Sequence, residues 1–478
     1  MRMRMEIITL LTVIMLAAAP LTASTPDRVK SAREFVAMLS RGEFKTAVST
    51  FDAAMKRALS EEKLHELWVS LVAQAGQFEK ELADSTSQFQ DYYIVFVTCK
   101  FQKATIDVKI VFNQAGEMAG LFFLPRRVSE LVQPEGPSKP YPYESNDVTF
   151  ENAQAKIRLA GTLTMPGSGG PFPAVLLIPG SGPHDRDETI SGHKIFLILA
   201  DYLTRRGIAV LRVDDRGVGM STGDFKSATT MDLASDALAG VNYLTTHKEI
   251  NSREIGLVGH SEGGLIAPIV ADESSNVAFI VLMAPPGLPG EDIVLSQVDL
   301  LGKANGLSDS LIEINRRIEK KLLDVVTTTT EKDSSEVRAK LKEILERYIA
   351  NSNHAGQPEH VQAEAVIDAQ LNGLLSPWYR FFLTYDPRPA LQKVKCPVLA
   401  LWGTKDLQVP PSENLPAVEK ALQDGGNKDF KVVELLQLNH LFQTAETGSP
   451  SEYAKIQETI SPKALDVIAK WILKRTAE

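Results

Sequence analysis

With 478 residues the chain is long enough for two or three domains, and its 44% hydrophobic composition is ordinary for a soluble globular protein. A net charge of −9 and a pI near 5.6, with no concentrated basic patch, argue against nucleic acid or an anionic membrane as partner. The composition points to a small ligand that is not strongly anionic.

The first two dozen residues stand apart. Arg2 and Arg4 make a basic start, residues 7–19 form an apolar stretch too short to span a membrane comfortably, and small residues follow at positions 20–24. Residues 1–24 read as a removable secretory signal, cut after Ala23 or Ser24, so the expectation is a periplasmic or secreted protein with no stable membrane insertion after cleavage. An uncleaved anchor is the competing reading. No cysteine follows the apolar run, so nothing suggests lipid attachment. The two cysteines, Cys99 and Cys396, fall in different predicted domains, each beside a strand. They read as buried unpaired thiols, not as a disulfide framework.

Residues 25–128 make a first unit. Helical spacing runs over 31–39, 45–54 and 61–75, then strand-like alternation over 92–100, 105–112 and 118–124, with Asn113-Gln114-Ala115-Gly116 as a hairpin turn. Helices followed by antiparallel strands predict a small α+β domain. It resembles the small domain of uncharacterised function, of nuclear-transport-factor-like cone shape, that precedes some secreted bacterial hydrolases. It holds no catalytic cluster, and His65, among charged residues, reads as part of a solvated helix face. Its presence suggests a role in substrate recruitment or in forming a homodimer. A linker is expected over 129–143, because four prolines in the ten residues 133–142 favour extended chain.

From residue 144 the pattern changes. Two antiparallel edge strands are expected over 148–151 and 157–165. Strands over 174–178, 208–213, 255–258 and 278–283 then alternate with helices over 196–205, 231–245 and 265–271. That order predicts an α/β fold with a mainly parallel sheet and helices on both faces, whose ligand lies beyond the carboxyl ends of the strands. Residues 287–395 interrupt it with helical patterns over 294–304, 308–326, 335–348 and 361–374, read as an inserted helical cap. The aromatic group Trp378, Tyr379, Phe381 and Phe382 reads as cap core ahead of substrate pocket. The sheet resumes with strands over 397–403 and 430–435 and helices over 415–422 and 462–474, so the sheet domain comprises 144–286 and 396–478.

Within that domain, Gly259-His260-Ser261-Glu262-Gly263 joins an apolar strand to an apolar helix through a tight turn, with a serine at its apex and glycines two before and two after. Side chains at those glycines would collide as the backbone reverses, so Ser261 is the candidate nucleophile. Gly219-Met220-Ser221-Thr222-Gly223 fits the same five-residue pattern, but polar loop precedes it and no apolar helix follows. Ser221 reads as a loop serine. A serine hydroxyl needs a base, and the base needs an orienting carboxylate. Of eight histidines, only His440 lies beyond the resumed strands, where it completes the order serine, acid, histidine. Asp406, just past the strand over 397–403, is the candidate acid, with Asp386 and Asp424 as rivals that end no sheet strand. For an oxyanion, the expected donors are the backbone amide of Glu262 and that of Ser181 or Gly182, in the small-residue loop Pro179-Gly180-Ser181-Gly182-Pro183; the choice between the last two stays open. The chain has no H-E-x-x-H motif and its histidines lack ligand spacing, so no metal and no cofactor is expected.

Taken together, Leu177-Ile178-Pro179-Gly180-Ser181-Gly182-Pro183 with Asp185-Arg186-Asp187, the Asp215-Arg216-Gly217-Val218-Gly219 loop, the Ser261 turn, Gly403 with Asp406 and Gln408-Val409-Pro410, and Leu438-Asn439-His440-Leu441-Phe442 resemble the bacterial α/β-hydrolase carboxylesterases with an inserted cap. The resemblance covers about residue 143 to the C-terminus. It implies the α/β-hydrolase fold and hydrolysis of short-chain carboxylic esters, a small-molecule substrate, through an acyl-enzyme on Ser261. It extends to the catalytic domains of prolyl oligopeptidase-like peptidases, so a peptidase or thioesterase on the same residues is the alternative; a non-catalytic binding protein is the reading from another class. Arg216 matches a family loop motif and is expected to tie loops together.

Overall fold

The computed structural model describes residues 25–89, 92–125, 136–137, 139–328, 334–351 and 360–476. The segment read as a secretory signal lies outside these residues, as do parts of the expected linker. The chain forms two compact units.

The first unit opens with helices α1 (Thr25–Arg41), α2 (Phe44–Ser49), α3 (Ala53–Ala58) and α4 (Glu61–Ala75), followed by strands β1 (Phe78–Phe89), β2 (Tyr92–Phe101), β3 (Thr105–Phe112) and β4 (Met118–Pro125). The strands form an antiparallel sheet in the order β1-β2-β3-β4. Ser60 caps α4 by accepting from the Lys63 N–H, and Glu61 and Glu62 sit in the first turn where the helix dipole favours negative charge. In β3 the alternation places Ile106, Val108, Ile110 and Phe112 in a core shared with Phe35, Phe51, Trp68 and Phe101. Two features differ from expectation. The helix expected over 45–54 is broken, because Asp52 turns its carboxylate onto the Met55 N–H (2.7 Å) and starts α3 afresh. β1 was not anticipated: its polar sequence pairs with β2 on one side only, at the sheet edge.

The second unit contains an eight-stranded sheet in the order β14-β13-β12-β11-β7-β10-β6-β5. Its chain runs β5 (Tyr143–Asn152), β6 (Ile157–Pro166), β7 (Phe172–Ile178), a short hairpin of β8 (Thr189–Ile190) and β9 (His193–Lys194), α5 (Ile195–Thr204), β10 (Ala209–Val213), α6 (Thr230–Leu244), β11 (Ile250–His260), α7 (Gly263–Glu273) and β12 (Val277–Met283). Helices α8 (Gly290–Ala304), α9 (Asp309–Thr328), α10 (Ser334–Asn351), α11 (His360–Leu374), α12 (Pro377–Thr384) and α13 (Arg388–Lys393) then intervene in the chain; residues 360–369 of α11 group with the first unit. After them come β13 (Val398–Gly403), α14 (Pro411–Asp424), β14 (Phe430–Leu435) and α15 (Pro462–Arg475). Tyr143, placed by sequence at the end of the linker, is the first residue of β5.

Pairing is parallel from β10 through β7, β11, β12 and β13 to β14, and antiparallel only where β6 joins β10 and β5 joins β6. The parallel strands are nearly unbroken apolar runs because helices cover both faces. In β12, for example, Phe279, Ile280, Val281, Leu282 and Met283 are all buried. Register aligns Gly259 of β11 with Ile178 of β7 and Leu282 of β12. The chain therefore leaves β11 at the carboxyl edge of the sheet, between two strands that end beside it. Among the described residues no helix is long and apolar enough to cross a membrane. Both cysteines are free, Cys99 buried and Cys396 only half-buried; burial pushes their thiols up to about 12 and about 11.

Candidate active site

Ser261 is the first residue after β11. Its φ of +51° lies in the left-handed region, where a side chain costs on the order of 1–3 kcal/mol unless its surroundings hold it. Two glycines make the turn geometrically feasible. A Cβ on Gly259 would fall 2.0 Å from the Gly263 carbonyl oxygen, and one on Gly263 would fall 2.1 Å from that of Ile178. The strained turn is held from both sides: the Ser261 N–H donates to the Met283 carbonyl and its own carbonyl accepts from the Gly264 N–H, each at 2.8 Å.

Strands β13 and β14, two and three places along the sheet from β11, lead to an acid and an imidazole. Asp406 follows β13, and its Oδ1 accepts from the N–H groups of Gln408 and Val409, both at 2.9 Å. Its Oδ2 accepts from Nδ1 of His440, beyond β14, at 2.8 Å. A carboxylate can only accept, so Nδ1 carries the imidazole proton and Nε2 is the basic nitrogen. Nε2 is buried and without a partner; the Ser261 hydroxyl is not hydrogen-bonded to it in this structure. The loops bearing the acid and the imidazole are locked together, because the Lys405 N–H donates to the Leu438 carbonyl (2.9 Å) and a Cβ on Gly403 would lie 2.1 Å from that same oxygen. The rival acids are engaged elsewhere. Asp386 pairs with Arg388 and Asp424 with Lys420. Ser221 is a buried latch whose Oγ donates to the Asp214 carbonyl (2.7 Å) and accepts from the Ala160 N–H (2.9 Å).

The small-residue loop after β7 packs directly on the Ser261 turn: a Cβ on Gly180 would be 3.3 Å from the Ser261 Cβ. Ser181 and Gly182 follow, the latter at φ +107°. Among the described residues no protein acceptor takes the N–H of Glu262, Ser181 or Gly182, so the geometry leaves the choice between the last two as open as the sequence does. The Asp185-Arg186-Asp187 motif shapes this loop. Asp185 binds the Thr189 N–H (3.0 Å) and hydroxyl, Arg186 bridges Asp214, Asp147 and the Gly161 carbonyl, and Asp187 pairs with Arg212 and Lys194. Arg216 joins Asp236 (2.7 Å) to the Asp232 carbonyl (2.7 Å), tying its loop to α6.

Three side chains near the site were not singled out from sequence. Glu262 was read only for its backbone, yet its buried carboxylate accepts from Thr230 Oγ1 (2.7 Å) and from the Trp378 indole N–H (2.8 and 2.9 Å). Burial raises this carboxyl above the usual range, opposed by hydrogen bonds from Thr230, Trp378 and Ser181. Trp378 stacks on Phe382 with centroids 5.4 Å apart. The aromatic group of α12 thus combines buried core residues, Tyr379 and Phe382, with one ring that touches the residue after Ser261. The other two are His260 and Glu188, buried and 2.8 Å apart. His260 lies inside the Gly259–Gly263 motif quoted for Ser261, whereas Glu188 directly follows the Asp185-Arg186-Asp187 motif and lay outside it. Among the described residues no group of three or more His, Cys, Asp or Glu side chains is placed to hold a metal ion.

The chain belongs to the alpha/beta hydrolase family, whose model matches residues 175–455, more than half of its length, and it is an enzyme of the hydrolase class. In the first unit, residues 32–121 match a family described as a protein of unknown function (DUF3887). Over 442 residues the chain is 28% identical to Esterase EstD of Thermotoga maritima, an overlap of 92% of this chain and 94% of that protein. Among solved structures, the alpha/beta hydrolase GrgF from Penicillium sp. sh18 is 16% identical with a TM-score of 0.43, covering 70% of this chain and 100% of the other. The esterase Pf2001 of Pyrococcus furiosus is also 16% identical with a TM-score of 0.43, covering 72% and 97%.

Proposed function

We propose that this hydrolase is a serine carboxylesterase acting on short-chain carboxylic esters through an acyl-enzyme on Ser261. His440 Nε2 removes the hydroxyl proton as Oγ attacks the ester carbonyl, Asp406 orients the ring and stabilises the imidazolium, and the imidazolium returns the proton to the departing alcohol. The N–H of Glu262 and that of Ser181 or Gly182 receive the developing oxyanion. Water then repeats the sequence on the acyl-enzyme. The observation that carries this reading is the buried His440–Asp406 pair with its basic nitrogen unengaged, past the carboxyl ends of strands in the same sheet that carries a serine in a strained turn. Similarity to Esterase EstD along nearly the whole chain supports the substrate class. Residues 1–24 support export to the periplasm or beyond the cell. The first unit would then serve substrate recruitment or a homodimer.

The test is hydrolysis of p-nitrophenyl esters of increasing acyl length, with Ser261→Ala beside the unaltered protein. The expected result is turnover that favours short chains and falls by roughly a thousandfold or more in Ser261→Ala. Thioesters and peptide amides belong in the same panel. If they are turned over in place of esters, the substrate class is wrong; if turnover survives in Ser261→Ala, the nucleophile is wrong.

A further inference from the structure

Behind the His440–Asp406 pair lies a second buried pair that the reaction above does not use. His260 and Glu188 are 1% and 0% exposed. Nδ1 of His260 is 2.8 Å from Oε1 of Glu188, and Nε2 is 3.0 Å from the backbone carbonyl oxygen of His440. The His260 and His440 rings are 4.9 Å apart. Oε1 of Glu188 also accepts from the Gly180 N–H at 2.7 Å, at the head of the loop that carries Ser181 and Gly182. One imidazole and one carboxylate therefore connect the backbone of the proposed base to the loop expected to donate to the oxyanion.

A proton count follows from the chemistry of the partners. The His440 carbonyl can only accept, so Nε2 of His260 must carry a hydrogen. A neutral imidazole would then aim its Nδ1 lone pair at a carboxylate oxygen, which repels it. The contact becomes attractive when the pair holds one further proton, either as an imidazolium facing a carboxylate or as a neutral imidazole accepting from a carboxylic acid, and the Gly180 N–H on the same Oε1 favours the first. The direction of the His260 pKa agrees: burial is the largest single influence and opposes protonation, but the Glu188 carboxylate, the His440 carbonyl and Asp406 together leave the ring above the usual imidazole range. The other titratable groups around the pair are His184, Asp185, Asp215, Asp406 and His440. His184 Nε2 is occupied with the Ser181 carbonyl (3.0 Å) and the Asp215 carboxylate with the His184 N–H (2.8 Å), so neither hydrogen-bonds to the pair.

We propose that His260 and Glu188 are positioning residues for the reaction at Ser261: a doubly protonated His260 ring fixes the His440 backbone, and Glu188 fixes, through Gly180, the loop of the oxyanion donors, so that base and oxyanion site are held in one mutual geometry. Glutamine cannot replace Glu188 in this role. If its amide oxygen accepts from Gly180 and from His260, the ring must keep a full charge with no counter-charge beside it. If its NH2 turns to a neutral His260, the Gly180 N–H loses its acceptor. Glu188 itself sits at φ +48°, with its N–H on the Asp185 carbonyl (2.9 Å); the turn before β8 holds it there.

The inference rests on Ser261 being the nucleophile, and the experiment separates the two. Nitrogen NMR of the unaltered protein labelled in histidine should show, at pH 8, one ring with both nitrogens in the imidazolium pattern, lost in His260→Gln. Glu188→Gln should lower kcat on an acetyl ester by roughly ten- to a hundredfold while KM changes by less than about threefold, because misplacement of reacting groups is read in the chemical step. A merely structural pair would lower the melting temperature and leave kcat of the folded fraction unchanged. If Glu188→Gln does not fold, His260→Gln reads the same kinetic split. The proposal is overturned if every histidine is in the neutral pattern at pH 8, or if kcat stays within about twofold in a folded variant that breaks the pair. Full turnover in Ser261→Ala instead removes the underlying assignment, and the inference with it.

Discussion

At Asp406 the division of labour between two oxygens decides which nitrogen of His440 can act as a base. Oδ1 is claimed by two backbone N–H groups, those of Gln408 and Val409, and Oδ2 by the imidazole. In Asp406→Asn the amide oxygen must stay on the two N–H donors, which forces the NH2 group onto Nδ1 of His440. Nδ1 then accepts, the proton moves to Nε2, and that nitrogen is no longer basic. The expected outcome is a loss in kcat of roughly ten-thousandfold with the fold retained, read by steady-state kinetics on an acetyl ester beside a melting curve. A loss under about tenfold would mean that Asp406 does not set the tautomer. At this scale the sequence shows residues that mark the ends of strands, because a strand's end is a local property. Asp406 and His440 each follow a recognisable apolar run, and Ser261 sits between a strand and a helix. The His260–Glu188 contact spans a separation of 72 residues. No local spacing encodes it. The indole of Trp378, 116 residues from Glu262, was hidden for the same reason.

Among the elements, the inserted helices carry a titratable group whose effect on stability has a definite sign. Glu319 of α9 is 9% exposed, and among the described residues it forms no ion pair. Burial pushes its carboxyl up to about 7 from 4.5. The folded chain therefore holds this proton more tightly than the unfolded chain does. Its stabilising contribution is complete below about pH 4.5, declines as pH rises through about 7, and stays at its lower level above that. The interval corresponds to on the order of 3 kcal/mol. Glu319→Gln removes the titration, so the variant should gain stability relative to the parent at pH 8 and differ little at pH 4.5, measured as urea midpoints. An equal difference at both pH values would mean that the group is solvated. The elements themselves differ in how far sequence reveals them. β12 and β13 are covered on both faces and read as apolar runs, and α4 carries its own cap and first-turn acids. β1 has neither property: as an edge strand of mostly polar residues its pairing comes from β2, not from its own pattern. The hairpin of β8 and β9 is too short to have a period at all.

For the whole molecule, the two units have separate hydrophobic cores with no residue in common. Every residue assigned to the reaction lies in the second. Cooperative unfolding propagates through shared buried contacts, so two cores are expected to give at least two transitions in calorimetry of the full chain, not a single two-state transition. A ligand bound only to the folded form raises the stability of the unit that holds it by about 2.7 kcal/mol at a hundred times its dissociation constant. An alkyl boronic acid, which adds reversibly to an activated serine hydroxyl and places an oxygen anion where the ester oxyanion would form, is such a ligand. It should raise one transition by a few degrees, the one belonging to the larger unit, and leave the other where it was. In Ser261→Ala the shift should vanish while both transitions remain. A single transition that moves as a whole would show that the units unfold together despite their separate cores, and the first unit would then contribute to the stability of the hydrolase unit it precedes.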